Sequence, residues 1–154
     1  MKKHKTLGQV YTPDWVVNEI LNLVNYNDFT ILNKYILEPA CGDGAFLIEI
    51  VSRYIDIAKK NNLSSKEIKS NLEKYIYGIE FDEFEYKKCL FRLNEITKKE
   101  IDFEHLNWQV FNQNTLKFYQ RYNSFFDYIV GNPPWFKIER DIRSVNYLFW
   151  RSVN

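Results

Sequence analysis

The sequence predicts an α/β fold, a parallel sheet with helices on both faces, over all 154 residues. Short apolar segments alternate with amphipathic helical segments, which is the arrangement of such sheets. Chemically unusual residues follow four consecutive predicted strands, at the end of the sheet where folds of this class bind ligands. The length and a hydrophobic content of 45% suit one domain with a substantial core.

Each element is predicted from a local pattern of apolar spacing and end signals. The predicted strands are 35–38, 76–80, 108–111 and 126–130. The predicted helix starts are Thr12-Pro13-Asp14, the loop at 40–44, the capping box Ser64 to Glu67, Asp82 with Glu85, and Arg140 for a final helix to Arg151. In the first of these starts, Thr12 is the expected N-cap and Pro13 the first helical residue.

Composition excludes several classes of protein. A formal net charge of +1 argues against a histone-like binder, which neutralises many phosphates. Cys41 and Cys89 form no CxxC motif, and with His4 and His105 they give no convincing metal site. The chain has no signal peptide and no apolar run that could span a membrane, so we expect a cytoplasmic protein without a membrane partner.

The loop after the first predicted strand carries two glycines and two acids. Gly42 and Gly44 permit a tight turn and a close approach of the backbone to a ligand. Glu38 and Asp43 flank the turn, and residues 38–49 contain no Lys or Arg. A pyrophosphate would meet two carboxylates there, which is unfavourable, whereas S-adenosylmethionine carries a sulfonium and an ammonium. The loop therefore favours S-adenosylmethionine; the alternative is an ordinary strand–turn–helix junction.

The next two strand ends also offer candidate ligands for this cofactor. Glu80 ends the second strand, where an acid can accept from both ribose hydroxyls; alternatively it is a solvated strand-end acid. Phe81 can pack on the adenine ring of the cofactor or belong to the core. Asn114 is placed to touch the adenine edge, or it forms a turn.

Asn132-Pro133-Pro134-Trp135 is the most specific motif in the sequence. Two prolines cannot continue a strand or a helix, so the backbone there is stiff and extended. The Asn132 side chain and the Pro133 carbonyl can both accept from one amino group, which localises the nitrogen lone pair for attack on a sulfonium methyl. Trp135 offers a flat face on which an extruded base can stack. The motif predicts methylation of a planar amine; the alternative is a rigid turn with a core tryptophan.

Four segments carry a family resemblance: GQVYTP at 8–13, LEPACGDGAFL at 37–47, IE at 79–80 and NPPW at 132–135. In this order they resemble N6-adenine-specific DNA methyltransferases of the gamma arrangement, enzymes of bacterial restriction–modification systems. The resemblance implies a Rossmann-like, S-adenosylmethionine-dependent methyltransferase fold. It also implies methyl transfer to the N6 amine of a flipped adenine in double-stranded DNA.

The resemblance also implies roles for single residues. Thr12 would bind the methionine carboxylate of the cofactor, Glu38 and the adjoining loop its amino-acid moiety, and Glu80 its ribose. The loop residues are Ala40, Cys41, Gly42, Asp43 and Gly44. Asn114 falls where the family usually has an Asp that accepts from the cofactor adenine, and Trp135 where Tyr or Phe is commoner.

The main departure from the family concerns length. The family's catalytic domain continues for several strands and a target-recognition region, so residues 1–154 correspond to its amino-terminal portion. We therefore expect a fragment, a truncated product or one part of a split enzyme, in which the fourth strand is an exposed sheet edge. The expected partners are DNA, contacted through a region outside this chain, and a completing C-terminal half or specificity subunit. We therefore expect this chain alone to show weak or absent catalysis.

Three other functions compete with this interpretation. The first is methylation of a different planar amine or amide, a release-factor glutamine or an RNA base, because Asn-Pro-Pro-aromatic loops serve those substrates as well. The second is a non-catalytic remnant that binds the cofactor or a partner. The third is a nicotinamide-dependent dehydrogenase, which the acids around the 40–44 loop disfavour.

Overall fold

The computed structural model describes residues 12–118 and 124–132, in which four strands alternate with helices. The elements are α1 (Asp14–Leu23), a 3₁₀ helix (Phe29–Asn33), β1 (Ile36–Glu38), α2 (Ala45–Lys60), α3 (Ser65–Tyr75), β2 (Ile76–Glu80), α4 (Glu83–Ile101), β3 (Gln109–Asn112), α5 (Thr115–Phe118) and β4 (Tyr128–Ile129). The predicted second strand matches β2, and the other three predicted strands overlap β1, β3 and β4. The predicted helix at 140–151 lies outside the described residues.

The four strands form one parallel sheet in the order β3-β2-β1-β4. Leu37 of β1 pairs with Tyr77 of β2 on one side and with Ile129 of β4 on the other. Since all strands run the same way, their carboxyl ends meet along one edge of the sheet. Within the described residues β4 pairs only with β1, and Ile129 is 45% exposed. The expectation of an exposed edge at the fourth strand agrees with this placement.

Helices cover the two faces of the sheet unequally. One face packs against α1 to α4 in an extensive, mainly aliphatic core that includes Ile36, Ile76 and Val110. The other face carries a smaller cluster, in which Leu37 and Tyr77 pack with Phe118 of α5. Successive strand residues point to opposite faces, and this alternation explains why neighbours in β1 and β2 belong to different clusters.

The structure has two helix starts where the sequence predicts them, at Ser64 and Asp82, and a third that differs. Ser64 caps α3 in a full capping box: its hydroxyl accepts from the Glu67 amide, and its own amide donates to that carboxylate. Asp82 caps α4 by accepting from the amides of Phe84 and Glu85. The amide of Asp82 itself donates to Glu80 Oε1.

The predicted N-cap of α1 is wrong by one residue. The structure has Pro13 in the N-cap position, in extended conformation, and its carbonyl accepts from the amides of Val16 and Val17. The Thr12 hydroxyl makes no capping bond to α1; it accepts instead from the side chain of Asn132. A long-range contact has replaced the local capping bond that the sequence suggested.

Candidate functional site

Glu38 lies at the carboxyl end of β1 and is the most unusual charged group of the described chain. It is only 2% exposed, and its Oε2 atom is buried with no hydrogen-bond partner among the described residues. Burial raises the pKa of Glu38 well above its ordinary value, and the neighbouring Cys89, Glu80 and Asp43 raise it further. The backbone amide of Leu47, at the start of α2, acts in the opposite direction. An unpaired buried carboxyl of this kind is stabilised when a cation binds beside it.

The loop after Glu38 turns sharply through two left-handed glycines. Gly42 has φ of +53° and Gly44 has φ of +93°. A Cβ atom on Gly44 would lie 2.8 Å from Cys89 Sγ, whereas a Cβ on Gly42 would meet no atom within 4 Å. The loop is therefore closed against α4 at Gly44 and open at Gly42, where a ligand can approach the backbone.

Glu80 ties this loop to the start of α4. Its Oε2 accepts from the Gly42 amide at 2.8 Å, and its Oε1 accepts from the Asp82 amide at 2.7 Å. Each carboxylate oxygen has a second lone pair, so the predicted bond to a ribose stays a prediction that the geometry leaves open. The next residue, Phe81, is 76% exposed and is not part of the core.

Asp43 has a cationic partner that the sequence did not reveal. Arg92 of α4 forms an ion pair with the Asp43 carboxylate at 2.8 Å and also donates to the Asp43 carbonyl at 3.0 Å. The two residues are 49 positions apart, and no local pattern connects them. The charge of Asp43 is therefore balanced, which removes one of the two carboxylates from the charge argument against a pyrophosphate.

The third strand end is organised by three polar residues. Asn114 Oδ1 accepts from the Leu116 amide at 2.9 Å, which is the turn-forming role considered as the alternative for this residue. The side-chain amide of Asn112 donates through Nδ2 to the backbone carbonyls of Glu80 and Phe81, at 2.9 and 3.0 Å. The side chain of Thr115 donates to the carbonyl of Pro39. Contact of Asn114 with the adenine stays a prediction. Asn112 and Thr115 link the ends of three strands. The sequence alone does not single them out, because turn residues of these types are common.

The fourth strand end lies directly on Glu38. The Val130 amide donates to the Leu37 carbonyl at 3.0 Å, and a Cβ on Gly131 would lie 3.4 Å from Glu38 Cγ and 3.7 Å from its Oε1. Gly131 has φ of +157°, which only glycine adopts readily. Asn132 follows and donates through Nδ2 to Thr12 Oγ1 at 3.3 Å. The structure thus brings Gly131 to Glu38, and Asn132, the first residue of the NPPW motif, to Thr12, while Pro133, Pro134 and Trp135 lie outside the described residues.

The remaining loop residues contribute through their backbone. Cys41 donates its amide to the Ile79 carbonyl at 2.9 Å, and its thiol is buried beneath the loop, close to Gly78. A hydrogen bond with the Cys89 thiol, together with burial, raises the pKa of Cys41 well above its ordinary value. Both thiols are free, and the described residues contain no group of side chains that could hold a metal ion. Pro39 and Ala40 lead from the strand into the turn, half-buried.

These groups together can bind a positively charged ligand that carries hydroxyls. The buried, unpartnered oxygen of Glu38 provides the charge complement, and the open backbone at Gly42 provides access. Glu80, half-buried at the end of the neighbouring strand, accepts from the Gly42 amide. The donor set therefore fits a sulfonium- and ammonium-bearing cofactor better than an anionic one.

A sequence profile of the N-6 DNA Methylase family matches residues 1–151. The chain belongs to this family. Among curated members, it is 30% identical over 148 residues to Type II methyltransferase M.BstVI of Geobacillus stearothermophilus, which accounts for 86% of this chain and 25% of that protein. The family member described here thus spans about a quarter of that relative's length.

Solved structures give the same fold. A chain of a type I R-M system superposes with a TM-score of 0.57 at 24% identity, over 80% of this chain and 23% of that one. The ATP-dependent Type ISP restriction-modification enzyme LlaBIII bound to DNA gives a TM-score of 0.57 at 19% identity, over 74% of this chain and 8% of that one. The predicted fold class, a Rossmann-like methyltransferase fold, is confirmed. None of the helices in the described ranges is long and apolar enough to cross a membrane.

Proposed function

We propose that this chain is the cofactor-binding and catalytic-loop portion of an adenine-specific DNA methyltransferase in a restriction–modification system. Its substrates would be S-adenosylmethionine and the N6 amine of a flipped adenine in double-stranded DNA, in the cytoplasm. The observation that carries the proposal is the approach of Gly131 to the buried carboxyl of Glu38, with the next residue, Asn132, bonded to Thr12. This approach supports an arrangement in which the motif that would accept an amine begins beside a site for a cation.

Four groups of residues would hold the cofactor. Glu38 would pair with the ammonium group, and the Ala40–Gly44 backbone would line the amino-acid moiety. Glu80 would accept from the ribose, with Phe81 and Asn114 near the adenine, and Thr12 would donate to the carboxylate. S-adenosylmethionine supplies an electrophilic methyl group on its sulfonium when bound. Burial of Glu38 keeps water away from that charge pair and strengthens it.

Asn132 and Pro133 would bind the amine of the target base. The amide oxygen of Asn132 and the Pro133 carbonyl accept from its two hydrogens, which leaves the nitrogen lone pair localised for attack. No general base is needed before attack, and Trp135 would stack on the extruded ring. A completing C-terminal half or specificity subunit would supply most of the contacts with DNA.

Cofactor binding to Glu38 can be tested by calorimetry with S-adenosylmethionine. Glu38→Gln keeps the shape of the side chain and removes its charge, so we expect the affinity to fall about 10- to 100-fold. Glu100→Gln is the matched control, because Glu100 is on the surface and pairs with Lys59 away from the strand ends. Unchanged affinity in Glu38→Gln, or no binding by the unaltered chain, contradicts the proposal.

The acceptor can be tested by methyl transfer from labelled cofactor. The complete enzyme that contains this chain would be offered DNA, RNA and a release factor in parallel. We expect label on the N6 amine of adenine in DNA, in keeping with the family to which the chain belongs. Label found only in the protein or the RNA would favour the alternative acceptors, a glutamine amide or an RNA base.

A further inference from the structure

One hydrogen bond joins two motifs that are 120 residues apart in the chain. Asn132 Nδ2 donates to Thr12 Oγ1 at 3.3 Å, and both residues are half-buried. Thr12 belongs to the segment before α1, and Asn132 begins the NPPW motif after β4. The contact connects the residue expected at the cofactor carboxylate with the residue expected to accept from the target amine.

The backbones of Thr12 and Asn132 are restricted by their neighbours, so the orientation of the two side-chain groups determines the direction of this bond. Thr12 precedes a proline, which restricts its backbone to extended conformations. Asn132 follows Gly131, which packs on Glu38, and Val130, whose amide is bonded to β1. Rotation of the Asn132 amide and of the Thr12 hydroxyl hydrogen changes the direction of this bond without moving either backbone.

The chemistry of the two groups allows two arrangements. An asparagine amide has a donor end and an acceptor end, and a hydroxyl can accept from the first or donate to the second. When the hydroxyl accepts, as in this structure, the nitrogen of Asn132 faces Thr12 and the oxygen faces away from it. When the hydroxyl donates, the amide is reversed and the wrong end is offered to a substrate amine, which is itself a donor.

We propose that Thr12 is a positioning residue that sets the direction of the Asn132 amide, and that a carboxylate bound at Thr12 locks that direction. The proposal rests on the function proposed above. A carboxylate only accepts hydrogen bonds, so it takes the single hydrogen of the Thr12 hydroxyl and leaves lone pairs toward Asn132. Asn132 must then donate to Thr12 and present its oxygen to the target amine. Cofactor binding and the orientation of the Asn132 amide toward the target base then depend on the same hydroxyl.

Hydrogen exchange of the Asn132 side-chain amide, measured by NMR on the 154-residue chain, tests this link. The resonance is identified by its loss in Asn132→Asp. Two ligands are compared at saturation: S-adenosylmethionine and its decarboxylated form, which lacks only the carboxylate. In the unaltered chain and in Thr12→Ser we expect S-adenosylmethionine to slow exchange about 2- to 10-fold and the decarboxylated ligand to leave it unchanged. In Thr12→Val, which has the same shape without a hydroxyl, neither ligand slows it.

Equal slowing in Thr12→Val, or equal slowing by both ligands, would overturn the proposal. Failure of the proposed function gives a different result, since calorimetry then detects no binding of either ligand. The ligand-free samples remain decisive in that case. Faster exchange at Asn132 in Thr12→Val than in Thr12→Ser supports positioning by the hydroxyl, and equal rates refute it.

Discussion

The ends of β1 and β2 each carry a glutamate, and the two environments are opposite. Glu38 is buried and one of its oxygens has no partner among the described residues, whereas Glu80 is half-buried and both of its oxygens accept from backbone amides. The strands are neighbours, with Glu38 paired to Gly78, so the two acids lie near each other along the same edge. The comparison teaches that both oxygens of Glu80 are used to hold the loop and the start of α4, whereas one oxygen of Glu38 is used by none of the described residues.

The largest expected effect comes from the loop that leads from β1 into α2 and is bonded to Glu80. Gly44→Val places a branched side chain at φ of +93° and against Cys89 Sγ, so we expect a loss of about 2–5 kcal/mol in the free energy of unfolding. Gly42→Val is the control, because its φ of +53° carries a backbone penalty but its Cβ meets open space. Urea denaturation of both variants measures the difference. Equal losses would show that contact with α4 does not fix the loop.

Glu80→Ala removes the acceptor for the amides of Gly42 and Asp82 and should destabilise the chain by about 2–4 kcal/mol. Glu83→Ala is a suitable control on the same helix start, since Glu83 pairs only with exposed Lys87 among the described residues. Thermal unfolding followed by circular dichroism gives both values. A Glu80→Ala variant as stable as the control would contradict the structural role assigned here to Glu80.

Glu38 should make stability depend on pH in the direction opposite to an ordinary salt-bridged acid. Its pKa is raised in the folded state by burial, so the folded chain binds the proton more tightly than the unfolded chain. The contribution of Glu38 is therefore complete below its unfolded pKa and is lost as pH rises through the folded pKa, by up to about 1.4 kcal/mol per pH unit.

Glu38→Gln removes this titration and should flatten the pH dependence of the unfolding free energy above the ordinary pKa of a glutamate. Denaturation of the unaltered chain and of Glu38→Gln at a series of pH values is the measurement. Identical pH profiles for the two proteins would show that Glu38 is charged in the folded state without cost. Glu100→Gln serves as the surface control, because its carboxylate pairs with exposed Lys59.

The smallest effect is expected at the ion pair of Asp43 with Arg92. Arg92 is 42% exposed at its side chain, and solvent screens pairs of this kind. Asp43→Asn should therefore change the unfolding free energy by less than about 1 kcal/mol. A change comparable to that of Glu80→Ala would mean that the pair holds the loop as firmly as the backbone bonds to Glu80 do.

Local patterns in the sequence were sufficient to predict the secondary-structure elements and the protein family. The second strand, the capping box at Ser64 and the cap at Asp82 follow from neighbouring residues, and the structure has all three. The order of the GQVYTP, LEPACGDGAFL, IE and NPPW segments indicated the methyltransferase family before any contact was known. The prediction failed at Thr12, where a capping bond to α1 competed with a distant partner and lost.

The sequence by itself determined which residues form strands and helices, because apolar periodicity and capping act over a few residues. It also predicted that two glutamates and Asn132 follow parallel strands, and hence that they share one edge of the sheet. Only the tertiary structure decided which of the two glutamates is buried with one unpartnered oxygen, that Arg92 balances Asp43, and that Asn132 donates to Thr12. Burial and long-range hydrogen bonds depend on how whole elements pack, and no short stretch of sequence encodes that packing.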